Sequence, residues 1–278
     1  MLDLLKQNES SFRPRHEMKF LIPASILESV RDYTACFCKP DPMSLGYPPQ
    51  YSVTTLQLDS PDLSLNFAKE RELKNRFKLR IRSYGEPEED CPIFIEIKRK
   101  FENIVSKSRA KLDRKTYLGV LEDSFQNKTA PSFENPGDRD AYFEFIRLVQ
   151  AIDAGPVLRI RYDRECWVGI EDKSVRITMD TRLAYQPASS LKVFDETAVW
   201  RRADVASVMK GAPASVILEL KSGLQIPDWV IRMVRHFSLQ RIGFCKYTEA
   251  VKLESTFGGC SPFAQSGFKS PFHSSSLG

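Results

Sequence analysis

The sequence predicts an α+β fold in which an antiparallel β-barrel encloses a charged interior and helices pack outside it. Five short segments alternate charged with apolar residues, so as strands each would have one apolar face and one face of Arg, Lys or Glu. Most predicted strands follow one another directly along the chain, and the helical segments fall between the strand pairs. This order favours antiparallel pairing of neighbouring strands. A face rich in Arg and Lys cannot lie in a dry core, and a barrel around a wet channel lets such side chains share an interior. The five segments are 78–82, 94–98, 158–161, 175–178 and 217–221.

In the first half of the chain, alternation predicts strands and apolar residues at helical spacing predict helices. The predicted strands are 15–22, 51–59, 77–84, 93–99 and the beginning of another at 107–112. The acidic turn 85–92 joins two of them as a hairpin. Helices are predicted from 23 to about 37 and over 138–153, a loop over 39–50, and a mixed polar stretch over 116–135.

The second half carries another hairpin signal and then mixed elements. Alternation predicts strands over 157–168 and 174–183, joined by a turn at 171–173, and a further strand over 217–221. An amphipathic helix is predicted over 227–237, and 241–250 leads into a helical or extended piece.

The domain organisation predicted from composition is one body with a loose segment at each end. Residues 1–14 are expected to be a leader, 15–254 one domain, and 255–278 a flexible tail rich in Gly, Ser, Pro and Phe. No composition break divides the body.

The bulk composition is that of an ordinary globular protein, with 42% hydrophobic and 28% charged residues among 278. The net charge of +5 is too small by itself to indicate nucleic-acid binding, because the position of the charge matters more than its sum. The six cysteines form no CxxC pair, which argues against zinc. Since the N-terminus lacks a signal-peptide core and no apolar run approaches about 20 residues, we expect a cytoplasmic protein with reduced thiols and no membrane segment.

Clustered cations need a counter-charge, because two like charges 4 Å apart repel by roughly 4 kcal/mol at an effective dielectric near 20. Phosphate suits such a cluster, since Arg donates paired hydrogen bonds to it and Lys acts as a point charge. Carboxylates at Glu17, Glu96 and Glu219 would repel bare phosphate. They make sense as orienters of basic side chains or as ligands of a divalent metal that accompanies the phosphate.

Eight short motifs in a fixed order resemble those of the VTC domain, the polyphosphate polymerase domain of the vacuolar transporter chaperone family. That family belongs to the triphosphate tunnel enzymes, which also include CYTH domains. The resemblance covers roughly residues 15–250 and is that of a stand-alone, bacterial-type member. The motifs lie at 15–20, 78–84, 96–98, 107–109, 157–162, 175–181, 218–221 and 245–247.

The resemblance implies an antiparallel tunnel barrel that binds ATP and polyphosphate or pyrophosphate together with Mn²⁺ or Mg²⁺. The γ-phosphate of ATP would pass to a growing polyphosphate chain. It implies catalytic positions at Lys19, Arg80, Arg82, Lys98, Arg159, Arg176 and Lys246. Further phosphate-binding positions are Lys107, Arg109, Arg161 and Lys221. Glu219 would bind the metal, while Glu17 and Glu96 would orient basic residues or assist the metal.

Three positions depart from the family pattern. Gln57 stands where Tyr is common, Cys245 where Ser is usual, and Ser108 where another basic residue is common. None of them removes a proposed metal ligand, so substrate geometry and rate are affected more than the fold.

Other readings of the same residues remain open. A tunnel-fold triphosphatase would use nearly the same residues, with water as the acceptor. A non-catalytic polyphosphate or nucleic-acid binder is a third reading, but nucleic-acid grooves interleave aromatic residues with basic ones, and we expect none on these strand faces. Residues 78–82 could also form a solvated edge strand, and Glu219 and Lys221 a surface ion pair.

Overall fold

The structure is a computed structural model. It describes residues 16–44, 46–86, 91–102, 104–126, 131–197, 199–209 and 215–254. The predicted leader 1–14 and tail 255–278 lie outside the described residues.

The described residues form antiparallel strands and α-helices, which confirms the predicted α+β class. The strands are β1 (His16–Ile22), β2 (Cys38–Pro40), β3 (Gln50–Asp59), β4 (Arg76–Tyr84), β5 (Ile93–Phe101), β6 (Ile104–Leu112), β7 (Gly155–Gly169), β8 (Arg176–Pro187), β9 (Arg201–Arg202) and β10 (Val216–Ser222). The α-helices are α1 (Leu27–Ala35), α2 (Ser64–Glu70), α3 (Tyr117–Phe125), α4 (Pro136–Ala151), α5 (Asp228–His236) and α6 (Lys246–Leu253). A 3₁₀ turn, Ala24–Ile26, precedes α1.

The described chain forms two compact units. The first contains the described residues of Met1–Ser52, Arg161–Ala184 and Arg202–Cys245. The second contains those of Val53–Ile160, Tyr185–Arg201 and Lys246–Gly278. No helix in the described ranges is long and apolar enough to cross a membrane.

In the first unit, β10 pairs antiparallel with β1 on one side and with β8 on the other, and β2 pairs with the end of β7. The alternation that the sequence shows places Leu218 and Leu220 of β10 on a buried apolar face. Val30 of α1 and Val230 and Met233 of α5 belong to the same buried cluster. The opposite face of these strands therefore carries their charged residues.

In the second unit the hydrogen-bonded strand order is β3-β4-β5-β6, and every neighbouring pair is antiparallel. Leu79, Ile81 and Ile95 on the apolar face belong to one core with Tyr142 and Phe145 of α4. The hairpin predicted from alternation on either side of the acidic turn is confirmed by the pairing of β4 with β5.

Two helices were not predicted. The N-terminus of α2 is held by Asp59, whose carboxylate accepts hydrogen bonds from the backbone N–H groups of Leu65 and Asn66. This cap lies at the end of a strand instead of directly before the helix, so the usual local signal for a helix start is missing. Within α3, Gly119 interrupts an otherwise helical pattern. The segment predicted as helical or extended forms α6.

Candidate functional site

One face of β4, β5 and β6, called here the basic face, carries most of the charged residues of these three strands. Cross-strand register puts Arg80 opposite Glu96 and Glu96 opposite Arg109, and alternate residues along each strand share that side. On these three strands the basic face has nine cations and one carboxylate. The cations are Arg76, Lys78, Arg80 and Arg82 of β4, Lys98 and Lys100 of β5, and Lys107, Arg109 and Lys111 of β6.

The single carboxylate of the basic face, Glu96, has no exposed side-chain surface and lies among three cations. Its Oε2 accepts a 2.6 Å hydrogen bond from Arg80 Nε and lies 3.6 Å from Arg82 Nη1. Its Oε1 lies 2.5 Å from Lys107 Nζ. These contacts place Glu96 where it can hold neighbouring basic side chains in position, which is one of the two roles that the sequence suggests for it.

The electrostatics of this cluster favour the ionised carboxylate. Burial by itself would raise the pKa of Glu96, but Arg80, Arg82 and Lys107 outweigh burial and hold that pKa far below its ordinary value. Burial lowers the pKa of Lys107, and the attraction to Glu96 only partly offsets this effect. Since one negative charge cannot balance the cations of the face, the face keeps a net positive charge.

Two aromatic residues lie on the basic face, and the prediction that it has none is wrong. Phe94 lies directly across from Arg82, and Tyr84 lies at the end of β4, two residues beyond Arg82. The two rings contact edge to face with centroids 5.8 Å apart. Arg109 lies over the Phe94 ring at 4.9 Å, and Arg82 donates from Nε to Thr55 Oγ1 at 3.1 Å. The sequence pattern could have placed both rings on the charged face, because Phe94 lies two residues before Glu96 and Tyr84 lies two residues after Arg82.

The face of β1, β10 and β8 in the first unit, called here the mixed face, alternates acids with bases. Glu17 pairs in register with Lys221, and Lys19 pairs with Glu219. Lys221 in turn lies opposite Arg176 of β8. The register thus brings together all five predicted site residues of these three strands.

Contacts on the mixed face hold the basic residues near acceptors. Lys19 Nζ donates to the carbonyl of Phe244 at 3.1 Å, and Lys221 Nζ lies 3.4 Å from Glu219 Oε1. Arg176 is about half exposed and lies 3.8 Å from Asp41. Glu219 is 8% exposed, so it is too buried to form the simple surface ion pair considered above. Its environment is that of a carboxylate held in place by the protein.

The donor set fits a divalent metal that also takes ligands from outside the protein better than a metal bound by protein alone. No group of three or more His, Cys, Asp or Glu side chains in the described ranges could hold a metal ion. Mg²⁺ and Mn²⁺ at phosphate sites commonly use one or two carboxylates and complete their shell with phosphate oxygens and water. Glu219, with Glu17 diagonally across the strand pair, meets that requirement. Glu96 fits it less well, because three cations already neutralise its charge.

Arg159 is placed differently from the other predicted residues. Its guanidinium is 1% exposed and donates to Lys192 O at 2.6 Å, to Ser190 Oγ at 2.9 Å and to Gln186 Oε1 at 3.3 Å. It also lies 3.3 Å from Asp195. These contacts anchor the segment that follows β8, so the side chain has a clear structural role.

The two remaining predicted residues lie in different units. Arg161 is half-buried on β7 in the first unit. Lys246 is half-buried at the start of α6 in the second unit, where the next residue, Tyr247, donates to Asp59 at 2.8 Å.

Comparison with known proteins identifies the family. A search of curated proteins found no match. Among solved structures, the chain is similar to one titled "Structure of PH1819 protein from Pyrococcus horikoshii OT3", at 14% identity and a TM-score of 0.43, with 86% of this chain and 99% of that chain covered. A family model for the VTC domain matches residues 14–254. That match spans nearly all of the body predicted from the sequence, and the antiparallel α+β architecture agrees with the tunnel enzymes to which the motifs pointed. The chain therefore belongs to the VTC domain family.

Proposed function

We propose that this protein is an ATP-dependent polyphosphate polymerase that transfers the γ-phosphate of ATP to a growing polyphosphate chain with the help of Mn²⁺ or Mg²⁺. Membership of the VTC domain family supports a role in polyphosphate metabolism. The observation that carries the proposal is the charge of the basic face, where nine cations share a single carboxylate. A polyanion would relieve the repulsion among those cations.

The basic face would bind phosphates through two kinds of donor. Arg80 and Arg82 offer planar guanidinium groups that suit paired phosphate oxygens, and Lys98 and Lys107 offer point charges. Glu96 contacts both Arg80 and Lys107, so the protein itself would hold these donors close together for phosphate. Phosphoryl transfer depends mainly on such positioning and charge stabilisation, so no Ser or Cys nucleophile is required.

The mixed face would supply the metal-binding carboxylate. Glu219 would hold the divalent cation, with Glu17 as a second candidate, and Lys19, Lys221 and Arg176 would contact phosphate. When bound, the cation would neutralise charge on the phosphates during transfer. Lys221 lies close to Glu219 and would help to orient that carboxylate.

The set proposed to contact phosphate leaves out Arg159, because its described hydrogen bonds serve the segment after β8. Arg161, Arg109 and Lys246 remain in the set as proposals. The protein would act as an enzyme whose partners are ATP and polyphosphate, and a cytoplasmic location is proposed with it.

The test is to incubate the purified full chain with ATP and Mn²⁺, resolve the products on a gel stained for polyphosphate, and assay ADP and phosphate. We expect long chains together with ADP. Glu219→Gln should reduce chain formation by about 100-fold or more, since it would remove the ligand of the cation that stabilises transition-state charge, and loss of one such stabilising group commonly costs 100- to 1000-fold. Glu28→Gln, which changes an exposed carboxylate on α1, is the matched control and should keep full activity.

The other products would decide between the alternatives. ADP with equimolar phosphate and no chains would replace the polymerase by a triphosphatase. Binding of tripolyphosphate without turnover of ATP, unchanged in Glu219→Gln, would indicate a non-catalytic polyphosphate-binding module.

A further inference from the structure

We infer that Phe94, Tyr84 and Arg109 form a site for the nucleobase of the substrate at one end of the basic face. The inference rests on the proposed function and adds an orientation for the nucleotide. The base would lie at the end of the face where β4 stops and β5 starts. The phosphates would extend from it toward Lys98 and Lys107.

The side chains at that end are suited to a flat aromatic ring. Phe94 and Tyr84 are both half-buried, and their edge-to-face contact holds the two rings in place. Arg109 is exposed and lies over the Phe94 ring at 4.9 Å. A purine could stack on this pair, because bases stack both on aromatic rings and on guanidinium planes.

Strand geometry fixes the direction of the nucleotide. Two residues along a strand cover about 7 Å, so the charged row of Glu96 lies about 7 Å from Phe94 and the row of Lys98 about 7 Å further. A base on Phe94 would therefore place the phosphates over Arg80 and Lys107, which flank Glu96. The reverse orientation would leave the base without an aromatic ring to stack on, since Phe94 and Tyr84 are the aromatic residues of the basic face on β4, β5 and β6.

The clustering of the rings favours a mononucleotide over a nucleic-acid strand. A strand of nucleic acid requires stacking groups spread along the groove, so that successive bases can each find one. Here the two rings contact each other at one end, and the rest of the face is charged. One base with a polyphosphate tail matches that distribution.

The test compares the affinities of ATP and tripolyphosphate, measured by calorimetry on the full chain without added divalent metal so that no turnover occurs. Phe94→Ala should weaken ATP binding by about tenfold, in line with the loss of one stacked base. Tripolyphosphate, which has no base, should bind Phe94→Ala within about twofold of the wild type. Phe94→Leu keeps apolar bulk at the position and should show the same selective loss, which guards against a folding defect. Phe101→Ala removes a ring that is 62% exposed on the opposite face of the same strand, and it should change neither affinity.

The outcomes separate this inference from the proposed function. Equal weakening of ATP and tripolyphosphate, or no change for either ligand, would overturn the base site while leaving phosphate binding in place. If the wild type binds neither ligand, the proposed function and the base site both fail.

Discussion

Removal of the Glu96 charge is the sharpest test of the basic face. In Glu96→Gln, three cations within 3.6 Å of the present carboxylate would lose their counter-charge. At an effective dielectric near 20 each close pair is worth roughly 4 kcal/mol before desolvation, and removing one partner of a buried pair typically costs 3–5 kcal/mol net. Because Lys107 is about one-third exposed and can turn toward water, we expect a loss of about 3 kcal/mol in the free energy of unfolding.

The assay is urea unfolding at pH 7 of wild type, Glu96→Gln and the control Glu144→Gln. Glu144 pairs with Arg99 but is 39% exposed, so its replacement should cost less than about 1 kcal/mol. Equal stability of Glu96→Gln and wild type would refute the reasoning.

The pH dependence of this difference follows from the lowered pKa of Glu96. Unfolding returns Glu96 to its ordinary pKa of about 4.3, whereas the folded pKa lies far below that value. The stabilisation is therefore complete above the ordinary pKa and is lost as pH falls toward the folded pKa. The stability gap between wild type and Glu96→Gln should shrink between pH 6 and pH 3, and a gap that grows over this range would contradict the assignment.

Three further predictions concern ligand binding and the supporting structure. Tripolyphosphate should stabilise the fold by about 2.7 kcal/mol at 100 times its dissociation constant, and a thermal midpoint that does not move would exclude a phosphate-binding face. Arg159→Ala should lower the free energy of unfolding by at least about 2 kcal/mol and expose the segment 189–197 to limited proteolysis, because several acceptors and Asp195 would lose their partner. An unchanged cleavage pattern would contradict the anchoring role. Tyr247→Phe removes the hydrogen-bond donor that contacts the buried Asp59. Burial raises the pKa of Asp59 above its ordinary value, so the contribution of this group to stability is present below its unfolded pKa and is lost as pH rises through its folded pKa. Urea unfolding of Tyr247→Phe should therefore show a loss of about 1–3 kcal/mol in the free energy of unfolding at pH 7 and a smaller loss at pH 4. The control Tyr47→Phe, which alters an 81% exposed ring, should change that free energy little at either pH.

Much of the architecture was predictable because strand alternation is a local property. The pattern in 78–82 and 94–98 predicted two strands and their charged faces, and the register of β4 with β5 confirms the pairing. Parity likewise placed Glu17 and Lys19 on one face of β1, and Glu219 and Lys221 on one face of β10, while the pairing of the two strands came from the structure. The helices α2 and α3 escaped prediction because a distant cap starts one of them and a glycine interrupts the pattern of the other.

The sequence by itself determined which residues share a strand face and which family they resemble, since both depend on the order of residues along the chain. Tertiary structure decided how those charges are used. It buried Glu96 of β5 among Arg80 and Arg82 of β4 and Lys107 of β6, and it enclosed Arg159 in a segment about 30 residues further along the chain. The motifs of these residues look alike in sequence, yet the structure places Glu96 in contact with three cations and Arg159 in contact with the segment that follows β8. Such contacts form only when distant segments meet, so no local pattern records them.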